Sequence, residues 1–197
     1  MAKHELLIPF ILTFEAGLRE EERELALTAM FERAKKKGFA NDPADKGGAT
    51  MCGVTIATYR SWRRTRGYSS TTVDDLKAIT FAEWREIFKG QYWNRWKGDS
   101  IECQALANLL VDFVWASGAN GIRIPQRVLG VTVDGVVGLK TLAALNSADP
   151  RELFERLKSE RIRFVEGIVK RNPTQAKFLK GWKRRINDIT FEGLRYE

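Results

Sequence analysis

Residues 102–117, ECQALANLLVDFVWAS, are apolar on nearly every side of a helical period, because Ala105, Leu106, Ala107, Leu109, Leu110, Val111, Phe113, Val114 and Trp115 leave no polar face. A helix of that pattern has to be enclosed, so it is expected at the centre of a bundle around which other helices pack. Asn108 and Asp112 interrupt the run, and it falls short of the roughly 18 to 20 apolar residues that cross a bilayer. The segment Leu6 to Phe14 is shorter still, so no membrane span is expected. Asp112 reads as a buried carboxylate hydrogen-bonded to the start of another helix, in preference to a catalytic group.

Outward from this helix the chain reads as further helices. After Gly118 a short one ends at Leu129-Gly130, a turn centres on Asp134-Gly135, and another helix runs from Gly138 to Leu145. Asp149-Pro150 with Glu152 opens a long helix that ends before Asn172-Pro173, and Thr174 begins the last, carrying Phe178, Trp182, Ile186 and Ile189. Upstream, Leu6, Leu7, Phe10, Ile11 and Phe14 repeat at helical spacing, and Pro9 is tolerated if regular helix starts near Ile8. Residues 19–37 read as one further helix, with Glu20, Glu21, Glu22 and Glu24 at its start, Arg33, Lys35, Lys36 and Lys37 at its end, and Gly38 to stop it. Thr55 caps a helix over 56–66, Thr72 with Asp75 opens a short one, and Thr80 with Glu83 makes a capping box for a helix toward Gln91.

Residues 41–53, NDPADKGGATMCG, form the one stretch dense in turn residues and fit a tight loop or short hairpin. The fold class is therefore mainly α, a helical bundle around a central apolar helix with a small loop or hairpin lobe. Tyr92, Trp93 and Trp96 concentrate aromatics at the end of a helix, where core packing and a sugar-stacking surface are both open.

The whole chain has 197 residues, 44% hydrophobic and 29% charged, a balance that excludes disorder and fibre and supplies a core without a metal or disulfide staple. Cys52 and Cys103 lie far apart and show no ligand spacing, and His4 is the only histidine, so neither a zinc site nor histidine catalysis is expected. Both cysteines are expected as reduced thiols. Lys and Arg exceed Asp and Glu by 33 to 25, a net charge of +8 that suits nucleic acid, an anionic membrane or bacterial cell wall. The basic clusters at Arg60, Arg63, Arg64 and Arg66 and at Lys180, Lys183, Arg184 and Arg185 have the spacing of solvated helix faces. The N-terminal apolar run leads straight into Glu15 without a small-residue cleavage site, so it does not read as a signal peptide.

With no GxSxG elbow and no GxGxxG or GxxxxGK[ST] loop, carboxylate chemistry remains. Glu15 follows an apolar helical face and precedes Ala16-Gly17. At a helix end it is either a partly desolvated general acid or a solvated residue on a polar face. Thr50, Asp42 and Asp45 in the glycine-rich loop could face it across a cleft and hold a water or stabilise positive charge.

The segments LLIPFILTFEAGL, GFANDPADKGGATMCGVTIATYRSW, YWNRW and LVDFVWASGANG, followed by IPQRVLGVTVDGVVGLKTLAALNSADP, resemble glycoside hydrolase family 108 joined to its C-terminal predicted peptidoglycan-binding region. The resemblance is collinear and covers most of the chain. It implies an α+β lysozyme-like fold, no cofactor, and hydrolysis of the β-1,4 bond between N-acetylmuramic acid and N-acetylglucosamine. It places the catalytic acid at Glu15. Asp42, Asp45 and Thr50 are the candidates for the group on the opposite face, with retention and inversion both open; Thr50 is taken as the second catalytic residue and Asp42, Asp45, Gly47, Gly48, Tyr92 and Trp93 as substrate-binding residues. Residues 1–99 would be the catalytic region and 100–197 a helical wall-binding region packed with it as one body, since no Pro/Gly/Ser-rich linker separates them.

Family members are lysozymes, often of phage or prophage origin, and some are labelled secretion activators. The expected protein is thus a monomer with bacterial peptidoglycan as its partner and no nucleic acid. It would be made in the cytoplasm without a signal peptide and act at the wall. One departure carries an alternative. The family runs directly from its Glu-Gly-Gly-aromatic motif into Asn-Asp-Pro, whereas here residues 19–37 intervene. Read as an inserted helix, they leave Glu15 as the acid. Read without a gap, they put Lys36 in that position and describe a catalytically inactive peptidoglycan-binding relative.

Overall fold

The computed structural model describes residues 1–41 and 48–196, and they form two compact units, one of residues 5–91 and one of residues 1–4 with 92–197. The protein is mainly α with one small three-stranded sheet. Among the described residues no helix is long and apolar enough to cross a membrane.

In the first unit, α1 (Ile8–Ala16) begins where Pro9 falls in its first turn and ends at Gly17, whose left-handed φ of 60° turns its N–H back to Thr13 O at 2.8 Å. The next helices are α2 (Glu20–Arg23) and α3 (Leu27–Lys35). The single helix expected over 19–37 is therefore two, broken at 24–26. Its terminal signals were sound, but Lys37 Nζ donates to both carboxylate oxygens of Glu22 at 2.8 and 2.7 Å. In one continuous helix these residues would stand about 22 Å apart, so the pair requires a chain folded back on itself.

Strands β1 (Phe39–Ala40), β2 (Thr50–Met51) and β3 (Val54–Thr55) pair antiparallel in sequence order, with Ala40 opposite Thr50 and Thr50 opposite Thr55. Then come α4 (Ile56–Arg64), α5 (Val73–Lys77) and α6 (Phe81–Phe88). Each starts on the threonine expected to cap it. The Thr72 hydroxyl accepts from Asp75 N at 3.1 Å while Asp75 Oδ2 accepts from Thr72 N at 2.7 Å, and Thr80 and Glu83 repeat the exchange. The core of this unit is aromatic: Phe31 of α3 lies 5.7 Å from Trp84 of α6, centroid to centroid, and both are fully buried.

In the second unit, α7 (Gln104–Ser117) is the enclosed helix its composition requires, with every residue from Ala105 to Val114 buried. Around it lie α8 (Asn120–Val128) and the long α10 (Pro150–Arg171), with α9 (Leu139–Ser147) between them in sequence and α11 (Ala176–Asp188) at the end. The α7–α8 crossing is close because residue 121 is glycine. A Cβ there would meet Val114 N at 2.4 Å and Phe113 C at 2.5 Å. The Trp96 indole N–H donates to Gly121 O at 3.0 Å and pins the same crossing.

Asp112 is completely buried in α7. Its partner is not the start of another helix, as expected, but two guanidiniums: Arg161 of α10 donates to Oδ2 at 2.6 Å and Arg185 of α11 to Oδ1 at 2.7 Å. Burial pushes the carboxyl up, but the charges of Arg185 and Arg161 and their hydrogen bonds outweigh it and hold Asp112 below its ordinary range. A helix terminus offers about half a charge. Two guanidiniums offer two full ones, and they satisfy both carboxylate oxygens.

Candidate active site

Glu15 occupies the last turn of α1, half-buried, two residues before the chain reverses at Gly17. The apolar residues that precede it, Phe10, Ile11 and Leu12, are fully buried, so core packing of α1 fixes where its carboxylate emerges.

The other part of this site is the β2–β3 hairpin. Its two-residue turn, Cys52-Gly53, has positive φ at both positions, 46° and 77°, the geometry that matches the twist of paired strands. A non-glycine residue is disfavoured there, and Cys52 is held by its surroundings. Its N–H donates to Gly38 O at 2.8 Å, and its carbonyl accepts from the Trp84 indole at 3.0 Å. Gly38 must be glycine for this approach, since a Cβ would meet Cys52 Sγ at 2.8 Å. Thr50, half-buried in β2, is thereby set between Ala40 and Thr55.

Cys52 links the two parts electrostatically. Its thiol is pushed up to about 12, first by burial and then by the negative charge of Glu15, with Glu32 adding to the effect and Lys35 opposing it. Glu15 and the hairpin that carries Thr50 therefore share one neighbourhood in the unit of residues 5–91. Residues 19–37 are closed on themselves beside it by Glu22, which also accepts from Arg19 N at 2.8 Å. Sequence reasoning missed Glu22 as the clasp of this segment. The only signal was an acidic residue near one end and a lysine near the other.

Of the remaining expected site residues, Asp42, Asp45 and Gly47 lie outside the described residues. Gly48 is described and takes the left-handed φ of 67°. Tyr92 and Trp93 belong to the other unit. Tyr92 is half-buried with its ring 4.4 Å from that of Trp115. Trp93 is corrected from a sugar-stacking residue to a packing one. It is fully buried, its indole N–H donates to Asp99 at 2.8 Å, and it lies so close to Gly98 that a Cβ there would meet its ring at 2.2 Å. A ring enclosed in this way has no face to offer a sugar.

Residues 33–118 match the family described as Glycosyl hydrolase 108, and residues 120–187 match a Predicted Peptidoglycan domain. A solved structure titled "Structure of Brucella abortus SagA" is similar at 32% sequence identity and a TM-score of 0.65, over 77% of this chain and 82% of that one. Comparison with curated proteins finds no match. The chain belongs to the glycosyl hydrolase 108 family. Membership makes bacterial peptidoglycan the material that is hydrolysed or bound.

Proposed function

We propose that this protein is an N-acetylmuramidase that hydrolyses the β-1,4 bond between N-acetylmuramic acid and N-acetylglucosamine in peptidoglycan. Glu15 is the general acid that protonates the departing glycosidic oxygen. Thr50 positions the attacking water on the opposite face of the sugar, an arrangement that gives inversion at the anomeric carbon. Asp42, Asp45, Gly47, Gly48 and Tyr92 are assigned to substrate binding. The division of labour is a catalytic region of residues 1–99 and a wall-binding region of residues 100–197. The setting is a phage or prophage endolysin or a wall-opening factor for secretion, made in the cytoplasm and acting at the wall.

The observation that carries this reading is the electrostatic proximity of Glu15 to Cys52, two residues along the hairpin from Thr50. A catalytic acid at the end of one buried helix and a water-binding hydroxyl on an adjacent rigid hairpin are the two fixed points the reaction needs. The self-closed segment 19–37 further supports Glu15 as the acid, because such a segment can be inserted after a helix without displacing that helix.

A second reading, an inactive wall-binding protein, is favoured by one observation. The family match begins at residue 33, so it takes in Lys36 and leaves Glu15 outside. Release of reducing ends from purified peptidoglycan separates the two. Wild type should release them, and Glu15→Gln should be slower by about 10² to 10⁴ fold. No release by the wild type from several wall types to which it binds would select the second reading.

A further inference from the structure

A cavity of about 110 Å³ opens within the unit of residues 1–4 and 92–197, between the end of α7, the middle of α10 and α11. Val165, Ile168, Ile186 and Trp182 make its wall largely apolar, and Ser117 contributes a hydroxyl side chain. The lining also takes in Arg161 and Arg185, the two cations that hold Asp112, and among the described residues it takes in no carboxylate. The cavity between α8 and α10 is different in kind. There Glu155 and Glu160 stand among the arginines, and Arg163 is already paired with Glu160.

Arg161 sets the character of the smaller cavity. It is 2% exposed, donates to Asp112 Oδ2 at 2.6 Å and to the carbonyls of Leu109 and Asp112 at 3.4 Å, and so belongs to the core and not to a solvated helix face. A guanidinium has more N–H donors than these bonds use. Arg161 also shares its carboxylate, because the same Asp112 accepts from Arg185. Burial, and after it the like charge of Arg185, pushes Arg161 below its ordinary range, although Asp112 opposes both. One cation would neutralise the carboxylate. The second adds positive charge beside an open cavity, where an arriving anion would gain charge-assisted hydrogen bonds in a desolvated setting.

Size and wall narrow the choice of anion. The cavity has the space of about four waters. That admits a carboxylate with a short aliphatic branch and excludes an acetylated sugar ring. A phosphate would leave the side chains of Val165, Ile168 and Ile186 facing a group with no apolar surface. In peptidoglycan the alanine that ends a peptide stem carries both a carboxylate and a methyl.

We infer that this cavity receives the carboxylate end of a peptidoglycan stem, with the carboxylate of the terminal alanine at Arg161 and Arg185 and its methyl against Val165, Ile168 and Trp182. The inference rests on peptidoglycan as the partner, and not on catalysis by Glu15. It makes the unit a reader of stems whose ends are free, since a cross-linked stem has no such carboxylate to insert.

The test measures binding of the free stem tetrapeptide, which ends in D-alanine, to the full chain by calorimetry, with the C-terminal amide of the same peptide as control. The tetrapeptide should bind at least about tenfold more tightly than the amide, the loss expected when a charge-assisted hydrogen bond becomes a neutral one. It should also raise the thermal midpoint, which the amide should leave nearly unchanged. Ala116→Phe, at an exposed position that lines the cavity, should fill it and abolish binding. Arg185→Gln leaves Asp112 paired with Arg161 and should bind peptide and amide alike. Thermal unfolding shows that each variant is folded, and Ala116→Phe decides if Arg185→Gln is not.

Equal binding of peptide and amide by the wild type, or undiminished binding by Ala116→Phe, would overturn the site. So would equal stabilisation by inorganic phosphate, which would mark a place for any small anion. Sedimentation with insoluble peptidoglycan separates this inference from the reading it rests on. A chain that sediments with the wall but ignores the tetrapeptide refutes the cavity and keeps the partner, whereas one that prefers the tetrapeptide to its amide but does not sediment refutes the partner and keeps the cavity.

Discussion

Lys37 and Glu22 close residues 19–37 into a loop of their own: both oxygens of the carboxylate accept from the one ammonium, and the same carboxylate caps α2 through Arg19 N. The Arg19 backbone bond and the Lys37 ammonium hold Glu22 down to about 2. A carboxyl held below its ordinary value stabilises the fold fully above about pH 4.5, and that contribution disappears as pH falls through 2. Glu22→Gln should therefore lower the thermal midpoint at pH 7, and its difference from wild type should shrink below pH 4.5. Hydrogen exchange should quicken first in α2 and α3. A deficit unchanged between pH 7 and pH 3 would contradict this account.

The Asp112 carboxylate holds α10 and α11 to α7 at one point. Replacing it by Asn takes the carboxylate away from Arg161, almost wholly buried, and from Arg185, mostly buried, a loss of about 3–5 kcal/mol by the measure of broken buried ion pairs. Chemical denaturation of Asp112→Asn should show that loss near pH 7. Because Asp112 is held below its ordinary range, the loss should narrow only in strong acid, where the wild-type carboxyl also takes up its proton.

Gly121→Ala sets two effects against each other. Alanine gains up to about 1 kcal/mol in helix propensity. The new methyl, however, would lie 2.4 to 2.7 Å from backbone atoms of Val114 and Phe113, which cannot rotate away. Overpacking of this kind costs about 1–3 kcal/mol or more. The clash wins, and equilibrium unfolding should show a net destabilisation. A stabilised variant would mean that α7 and α8 do not cross this closely.

The two cysteines should respond differently to a thiol reagent. Cys52 is fully buried with its thiol pushed up to about 12, whereas Cys103 is half-buried. At pH 8 the folded protein should show one fast thiol, and the second should appear only at the rate of opening. Mutation of Cys103 should abolish the fast phase. Two fast thiols would place Cys52 outside the core.

Local chemistry was legible where it was self-sufficient. The Thr72 and Thr80 capping boxes, the start of α1 at Pro9 and the apolar course of α7 each follow from residues within a turn or two of one another. The hairpin around Thr50 was legible from its turn residues, and so was the helix that ends just after Glu15. What the pattern could not supply was long-range. The break at 24–26 depends on a lysine 15 residues from its glutamate, and the partners of Asp112 lie 49 and 73 residues away. Trp93 shows the same limit. An aromatic cluster marks packing or stacking equally until the glycine under the ring is seen to enclose it.

The first four residues fold with the second half of the chain: Ala2 N donates to Ile101 O at 2.8 Å, and Lys3 N to the Gln104 side chain at 2.7 Å. During synthesis, then, residues 1–4 must wait for partners made about a hundred residues later, and Asp112 waits 73 residues for Arg185. Residues 5–91 depend on no such delay, so the unit that carries Glu15 and Thr50 can close while the other is still being made.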